Sequence, residues 1–230
     1  MSGVVPLVCA MMGPGTAGTA YIPGLADFVP MVSNTSFMGL AGPHLVKAAV
    51  GEEVDEQTLG GPKVHCEKSG VGDLEVEDDR ACIETIKKYL SFFPSHNQEQ
   101  PPAIPYDGSD EGLLPDGILD IIPANPRQAY NIHKIIKLIT DDGDFFEIKP
   151  RFARNIVVGF ARMDGKPVGI VANQPMIIGG AIDVDAADKA AHFINLCDSF
   201  NIPLVILVDV PGFIVGSAVE RQGIIRHGAK

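Results

Sequence analysis

Ile202-Pro-Leu-Val-Ile-Leu-Val-Asp-Val-Pro-Gly-Phe213 is the stretch whose reading decides the fold. An apolar, β-branched run ending in Asp209-Val-Pro-Gly212 has the pattern of a buried strand that opens into a tight turn. In open α/β sheets the turns at the carboxyl ends of strands hold the reacting groups, so the strand is scaffold and the turn is the candidate site. Upstream, Asp185 to Phe200 has helical spacing with aspartate in its first turn, and Asn201-Ile202-Pro203 leads from it into the strand Leu204 to Val208. Before that helix, Asn155 to Met163 and Lys166 to Ala172 read as two strands joined at Asp164-Gly165, a dipeptide suited to a two-residue hairpin turn. A hairpin followed by strand, helix and strand marks an α/β domain.

Working back from this domain, Tyr130 to Thr140 is helical by pattern and Asp141 to Asp144 is a turn. Ser95 to Asp116 is rich in Pro, Gly, Asp and Gln, the composition of an inter-domain connection. The division expected is therefore residues 1–97, a linker over 98–125, and residues 126–230. In the first part, Val4 to Met12 reads as a buried strand broken by Gly13-Pro14-Gly15, with a loop or helical segment over Thr16 to Leu25. Val29 to Val32 and Ser36 to Leu40 read as short strands, and Pro43 to Val50 as a helix with proline in its first turn. Glu52 to Thr58 opens another helix. Gly60 to Asp73 holds too many glycines for a helix and reads as loop with a short strand. Asp78 to Phe93 is an amphipathic helix closed by Pro94.

The chain has 230 residues, 46% hydrophobic and 20% charged, with a net charge of −11, which suits a soluble globular protein of one large or two small domains. Its Lys and Arg residues are scattered, which argues against nucleic acid as a partner. No apolar run has the length of a membrane span, and the N-terminus lacks the charged, apolar and cleavage regions of a secretory signal. Cys9, Cys66, Cys82 and Cys197 form no C-x-x-C pair and read as reduced thiols of a cytoplasmic or organelle-matrix protein. His65 beside Cys66 is an accidental neighbour, since adjacent strand residues face opposite ways. No histidine has metal-ligand spacing, so no metal site is assigned. Asp183, Asp185 and Asp188 lack the glycine and terminal glutamate of a calcium loop and are better explained as helix N-terminal charges.

Three segments together, Gly13-Pro-Gly-Thr-Ala-Gly-Thr-Ala-Tyr21, Ala172-Asn-Gln-Pro175 and Asp209-Val-Pro-Gly-Phe213 continuing to Gly223-Ile-Ile-Arg-His-Gly-Ala-Lys230, resemble the carboxyltransferase β subunit of biotin-dependent acyl-CoA carboxylases. Further matching segments succeed one another along the chain: Tyr21-Ile-Pro-Gly-Leu-Ala-Asp27, Gly42-Pro-His-Leu-Val-Lys47, Leu59-Gly-Gly61, His65-Cys-Glu-Lys-Ser-Gly70, Phe145-Phe-Glu147 and Asn155-Ile-Val-Val-Gly-Phe-Ala-Arg162. The resemblance implies a crotonase-like (ClpP/crotonase) β-β-α superhelical α/β fold. Residues 1–97 would be the later part of one domain and 126–230 the earlier part of a related second one. It also implies that both ends are cut, because the family's upstream Asp-Ser-Gly-Gly-like turn and its later glycine-rich helix start are absent.

The implied reaction moves a carboxyl group from carboxybiotin, carried on a separate subunit, to the α-carbon of a short-chain acyl-CoA, propionyl-CoA or acetyl-CoA. The intermediate is an enolate whose oxygen needs backbone N–H donors. Matched to the family motif, those donors are Ala17 and Gly18; the plainer reading of this turn is that it lets a helix pack close to a strand. The family more usually has two glycines there, and alanine is expected to serve with an ordinary φ. Gly212 is the implied donor to the biotin ureido oxygen, with Pro211 and Phe213 walling that pocket; the plainer reading of this turn is a strand end with Phe213 in the core. Asn173, Gln174, Pro175, Gly179 and Gly180 resemble the acyl-CoA-binding region, their amides able to bind polar groups without charge. The alternative for these amides is closure of a strand end. The implied partners are a biotin carboxylase and biotin carboxyl carrier subunit and further copies of the chain, as a hexamer. Two other readings remain open: an acyl-CoA decarboxylase or transcarboxylase subunit, and a non-catalytic truncated assembly fragment.

Overall fold

A computed structural model describes residues 1–108, 117–125 and 128–230. Part of the expected linker, residues 109–116, lies outside the described residues. The chain forms two compact units, one of Met1–Ser91 with Lys149–Phe152, the other of Phe92–Ile148 with Ala153–Lys230.

The first unit holds two small parallel sheets. Strand β1 (Pro14–Thr16) pairs with β3 (Phe37–Gly39), and β2 (Pro30–Val32) pairs with β4 (Leu74–Val76). The expected strand over Val4 to Met12 is not one: Val8 and Met11 make single bridges to Phe28 and Met31, and only Met11 is buried. Pro6 removes a ladder donor inside that run, so the pairing stays interrupted. The strand that forms is instead Pro14–Thr16, where a turn was expected. Gly60 to Asp73 also differs from expectation, with helical turns at Pro62–Val64 and His65–Ser69. These glycines are needed for close approach rather than for a loop. A Cβ at Gly60 would stand 1.8 Å from the Met38 carbonyl oxygen, and Gly70 closes the turn at φ 68°.

The expected helices of this unit form at Pro43–Val50, Glu56–Gly60 and Asp79–Leu90. Asp55 caps the second through the Thr58 N–H at 2.8 Å, and Asp78 caps the third through the Ala81 N–H at 2.7 Å. Met11, Val29, Met31, Met38 and Cys66 form its core cluster.

The second unit is a four-stranded sheet in the order β5 (Phe145–Ile148), β6 (Ile156–Met163), β7 (Lys166–Asn173), β8 (Leu204–Leu207). The first three run antiparallel and β8 joins β7 in parallel through the Val184–Ser199 helix. Asp164 and Gly165, at φ 54° and 71°, form the hairpin turn that their identity calls for. The Asp183 carboxylate accepts from the Ala186 N–H at 2.9 Å and starts the helix. Ile132, Ile135 and Ile136 of the Ile132–Ile139 helix pack on Val157, Val168, Ile170 and Ala172. A second cluster packs Phe92, Phe93, Phe160, Phe193 and Phe200 together, mostly edge-on or tilted, with ring centroids between neighbours 4.9 to 5.5 Å apart.

One expectation about the deciding stretch is corrected. Strand β8 is not buried: Ile206 is 56% exposed, and Val208, just past its end, 71%. An apolar strand is fully buried only where both faces of its sheet are covered, and β8 is an edge strand that pairs with β7 alone among the described residues. Within the described residues no helix is long and apolar enough to cross a membrane, and no group of three or more His, Cys, Asp or Glu residues could hold a metal ion.

Candidate functional site

In the second unit the parallel strands β7 and β8 end side by side, and the turns that follow them converge. Asn173 is the last residue of β7 and is 6% exposed. Its Nδ2 donates to the Gly180 carbonyl at 3.0 Å, and its Oδ1 accepts from the Asp209 N–H at 3.3 Å. The Tyr130 hydroxyl donates to Asp209 Oδ2 at 2.8 Å. Burial, then the bond to Asp209 and its charge, push the Tyr130 hydroxyl up to about 12. It therefore remains a donor throughout the physiological range.

Two further bonds join the turns: the Ile182 N–H donates to the Gly212 carbonyl at 3.1 Å, and the Ile214 N–H to the Ile182 carbonyl at 2.8 Å. Asn155 Nδ2 supports the same loop by donating to the Ala181 carbonyl at 2.7 Å.

The first of these turns carries unusual backbone. Ile178, Gly179 and Gly180 have φ of 43°, 65° and 74°. Glycine takes such angles freely, whereas a β-branched isoleucine there stores strain, a feature that clusters at functional sites. A Cβ at Gly180 would stand 2.8 Å from the Asp209 carbonyl oxygen, so only glycine lets the two turns touch. At Gly179 and at Gly212, whose φ is 137°, nothing lies within 4 Å of the Cβ position. Backbone at both glycines is open to a ligand.

Of the expected site residues, Asn173, Gln174, Pro175, Gly179, Gly180, Pro211, Gly212 and Phe213 are brought to these turns. The two amides do not point outward, however. Gln174 is buried, its Nε2 donating to Asn131 Oδ1 at 2.9 Å and its Oε1 accepting from the Ile132 N–H at 3.3 Å. Phe213 is 49% exposed and lies over Gly228, where a Cβ would come within 2.7 Å of its ring. With Ile214, Val215, Ile224 and Ile225 it lines an open apolar groove of about 360 Å³. Tyr130 and Asn155 were not foreseen. Tyr130 stands 79 residues from Asp209, and no local spacing signals that pairing.

The first unit holds Ala17 and Gly18, both exposed, directly after β1. The Thr19 hydroxyl donates to the Thr16 carbonyl at 2.6 Å and tightens the turn. Ala17 does not have the ordinary φ expected of it: it stands at 53°, in the left-handed region. That angle suits glycine, and alanine pays about 1 kcal/mol for it. Ala17→Gly is accordingly expected to stabilise the protein by up to about 1 kcal/mol in urea unfolding, after the entropy that glycine adds to the unfolded chain. A lower unfolding midpoint would contradict the strain.

The four cysteines are free thiols. Burial pushes Cys66 up to about 12, with the Arg151 charge offsetting part of the rise, and burial alone does the same to Cys197. At pH 8 neither forms the thiolate that reacts. Iodoacetamide is expected to leave both unmodified in the folded protein and to label them on unfolding; rapid labelling of either in the native state would show that its burial is wrong. Asp183 is the cap of the Val184–Ser199 helix, and Asp188 pairs with His227 and Lys230, each at 2.7 Å.

The family model described as the carboxyl transferase domain matches residues 1–230. Methylmalonyl-CoA decarboxylase subunit alpha of Propionigenium modestum is 46% identical over 230 residues, covering all of this chain and 44% of that protein. The propionyl-CoA carboxylase carboxyltransferase subunit of Haloferax mediterranei is likewise 46% identical, with 44% of its length covered. The mitochondrial propionyl-CoA carboxylase beta chain of Homo sapiens is 43% identical, all of this chain matching 42% of it. Among solved structures, the transcarboxylase 12S hexamer with methylmalonyl-coenzyme A and methylmalonic acid bound is similar at a TM-score of 0.94 and 43% identity, over 99% of this chain and 44% of that one. The chain thus spans less than half the length of the relatives it matches.

Proposed function

The chain belongs to the carboxyl transferase domain family and has its crotonase-like α/β fold, and from that premise we propose that it is part of the carboxyltransferase component of an acyl-CoA carboxylase. The substrate would be a short-chain acyl-CoA, propionyl-CoA or acetyl-CoA, and the product its α-carboxylated thioester. The observation that carries this reading is the convergence of open glycine backbone at Gly179 and Gly212 at the ends of parallel strands, within a chain matched to the family from end to end.

In this reading the Ala17 and Gly18 N–H groups take the thioester oxygen and stabilise the enolate charge, each worth on the order of 3 kcal/mol in a dry site. Gly212 presents its N–H to the ureido oxygen of biotin. Phe213 and the apolar groove beside it suit the uncharged rings of that group, while Pro211 stiffens the turn. Carboxybiotin, when bound, supplies the carboxyl group. Pro175, Gly179 and Gly180 contribute backbone and shape, whereas Asn173 and Gln174 support them from inside.

Residues 1–97 are proposed as the later part of one carboxyltransferase domain and 126–230 as the earlier part of a second, joined by 98–125. The partners would be a biotin carboxylase, a biotin carboxyl carrier and further copies of the subunit in a hexamer, in the cytoplasm or the mitochondrial matrix. Equal identity to a decarboxylase subunit and to a carboxylase subunit favours a second reading, in which the same groups run the transfer in the opposite direction. Incubating the full-length subunit with free biotin and either methylmalonyl-CoA or malonyl-CoA tests the core of the proposal. Biotin-dependent loss of the substrate carboxyl group is expected, and no transfer from either thioester would refute it.

A further inference from the structure

We propose that Asn173 is a positioning residue for the biotin-side turn: its amide clamps the Asp209–Phe213 turn to the Ile178–Gly180 turn and so sets where Gly212 and Phe213 stand. The proposal rests on the functional reading above for what that turn binds, and on the geometry alone for the clamp.

The geometry has three parts. First, Asn173 spends its short amide on main chain of both turns, one N–H on the Gly180 carbonyl at 3.0 Å and its oxygen on the Asp209 N–H at 3.3 Å. Asparagine is suited to this because a single short side chain carries a donor and an acceptor. Second, the three groups are in contact: a Cβ at Gly180 would stand 3.2 Å from the Asn173 Cβ and 2.8 Å from the Asp209 carbonyl oxygen. The turns have no room to slide. Third, Asp209 is held again from its side chain by the Tyr130 hydroxyl at 2.8 Å, and the chain returns three residues later to bond Gly212 to Ile182 at 3.1 Å. Asp209 and Gly212 thus anchor the two ends of the turn, with Pro211 between them. Asn173 itself is buried, so an amide that lets go of either main-chain partner is left unpaired away from water, and that cost holds the arrangement.

The clamp differs from direct ligand binding and from simple closure of a strand end. A ligand-binding amide would have to give up one of its main-chain bonds to reach a substrate. A mere strand-end cap would affect both substrates alike. A clamp on the biotin-side turn instead weakens biotin binding selectively, since the Ile178–Gly180 turn keeps its own bonds from the Gly180 N–H to Ile177, from the Ala181 N–H to Ile178 and from Asn155 to Ala181 when the Asn173 amide is lost.

The test uses the full-length subunit carrying Asn173→Ala, with Asn173→Asp as a second variant that keeps an acceptor for the Asp209 N–H but has no donor for Gly180. Native-state hydrogen exchange at the Asp209 amide is expected to quicken at least tenfold in Asn173→Ala, with amides of the β6–β7 hairpin unchanged, and to stay near wild type in Asn173→Asp. In carboxyl transfer between methylmalonyl-CoA and free biotin, Asn173→Ala is expected to raise the KM for biotin at least tenfold and to leave the KM for the acyl-CoA within twofold. An unchanged Asp209 amide in Asn173→Ala overturns the clamp, as does an equal rise in both KM values or a fall in kcat alone. If Asn173→Ala does not fold, Asn173→Leu, close in volume but with neither donor nor acceptor, takes its place: Asp209 exchange at least tenfold faster supports the clamp and unchanged exchange refutes it. A wild-type subunit that transfers no carboxyl group to biotin would strike the functional reading, while the exchange result would still judge the clamp.

Discussion

Gly18→Val in the full-length subunit is expected to lower turnover about a hundredfold, near 2.7 kcal/mol of transition-state stabilisation, while leaving the fold intact. Two features make this substitution informative. Nothing lies within 4 Å of the Cβ position at Gly18, and its φ is outside the left-handed region, so a side chain is accommodated without a clash or strain. The valine methyl groups would instead occupy the space through which a thioester oxygen must approach the backbone, and χ1 stiffness keeps them there. Circular dichroism and the urea midpoint should match the wild type, and the acyl-CoA carboxyl-transfer rate should fall. Full activity in a well-folded Gly18→Val variant would remove this turn from the reaction.

Lys149→Met is expected to destabilise the protein by about 3 to 5 kcal/mol. Lys149 and Asp73 are 8% and 3% exposed, and their charged atoms meet at 2.9 Å. Asp73 Oδ2 also accepts from the Val29 N–H at 2.6 Å, and Lys149 Nζ donates to the Gly70 carbonyl, so the charges are hydrogen-bonded as well as paired. Methionine keeps the stem and removes the charge, which leaves a buried carboxylate with a single backbone donor. That uncompensated charge, more than the lost attraction, sets the size of the effect. Asp73→Asn added to Lys149→Met should recover most of the loss, because the amide oxygen still accepts from Val29 and no charge remains. A loss below about 1 kcal/mol in the single variant, measured by urea unfolding, would show that the pair is not buried as described.

Much of the fold was legible because its signals are local. Asp164-Gly165 called for a turn with positive φ at both residues and has it. The helices expected from Asp78 and from Asp185 start at Asp79 and Val184, each within one residue, with Asp78 and Asp183 as their caps. The Pro43–Val50 helix has proline at its first turn and ends at Gly51 in the left-handed region, as that pattern requires. Gly60 and Gly61 misled because glycine has two uses: the sequence pattern suggested loop, and the structure uses the missing side chain at Gly60 to let Met38 approach.

At the candidate site, the sequence by itself determined which residues supply flexible or donor-rich backbone: the Gly13 to Thr19 turn, Gly179-Gly180 and Asp209-Val-Pro-Gly212. Glycine and proline act through their own φ angles, so their meaning survives without knowledge of neighbours. Only the tertiary structure decided that Asn173 and Gln174 face inward, that Tyr130 holds Asp209, that Ala17 is left-handed, and that β8 lies at an edge. The inward amides, the Tyr130 bond and the edge position of β8 depend on groups distant in sequence. A hydrogen bond between residues 79 apart, or the presence of one neighbouring strand instead of two, is set by how the chain closes in space, and no local pattern of residues encodes it.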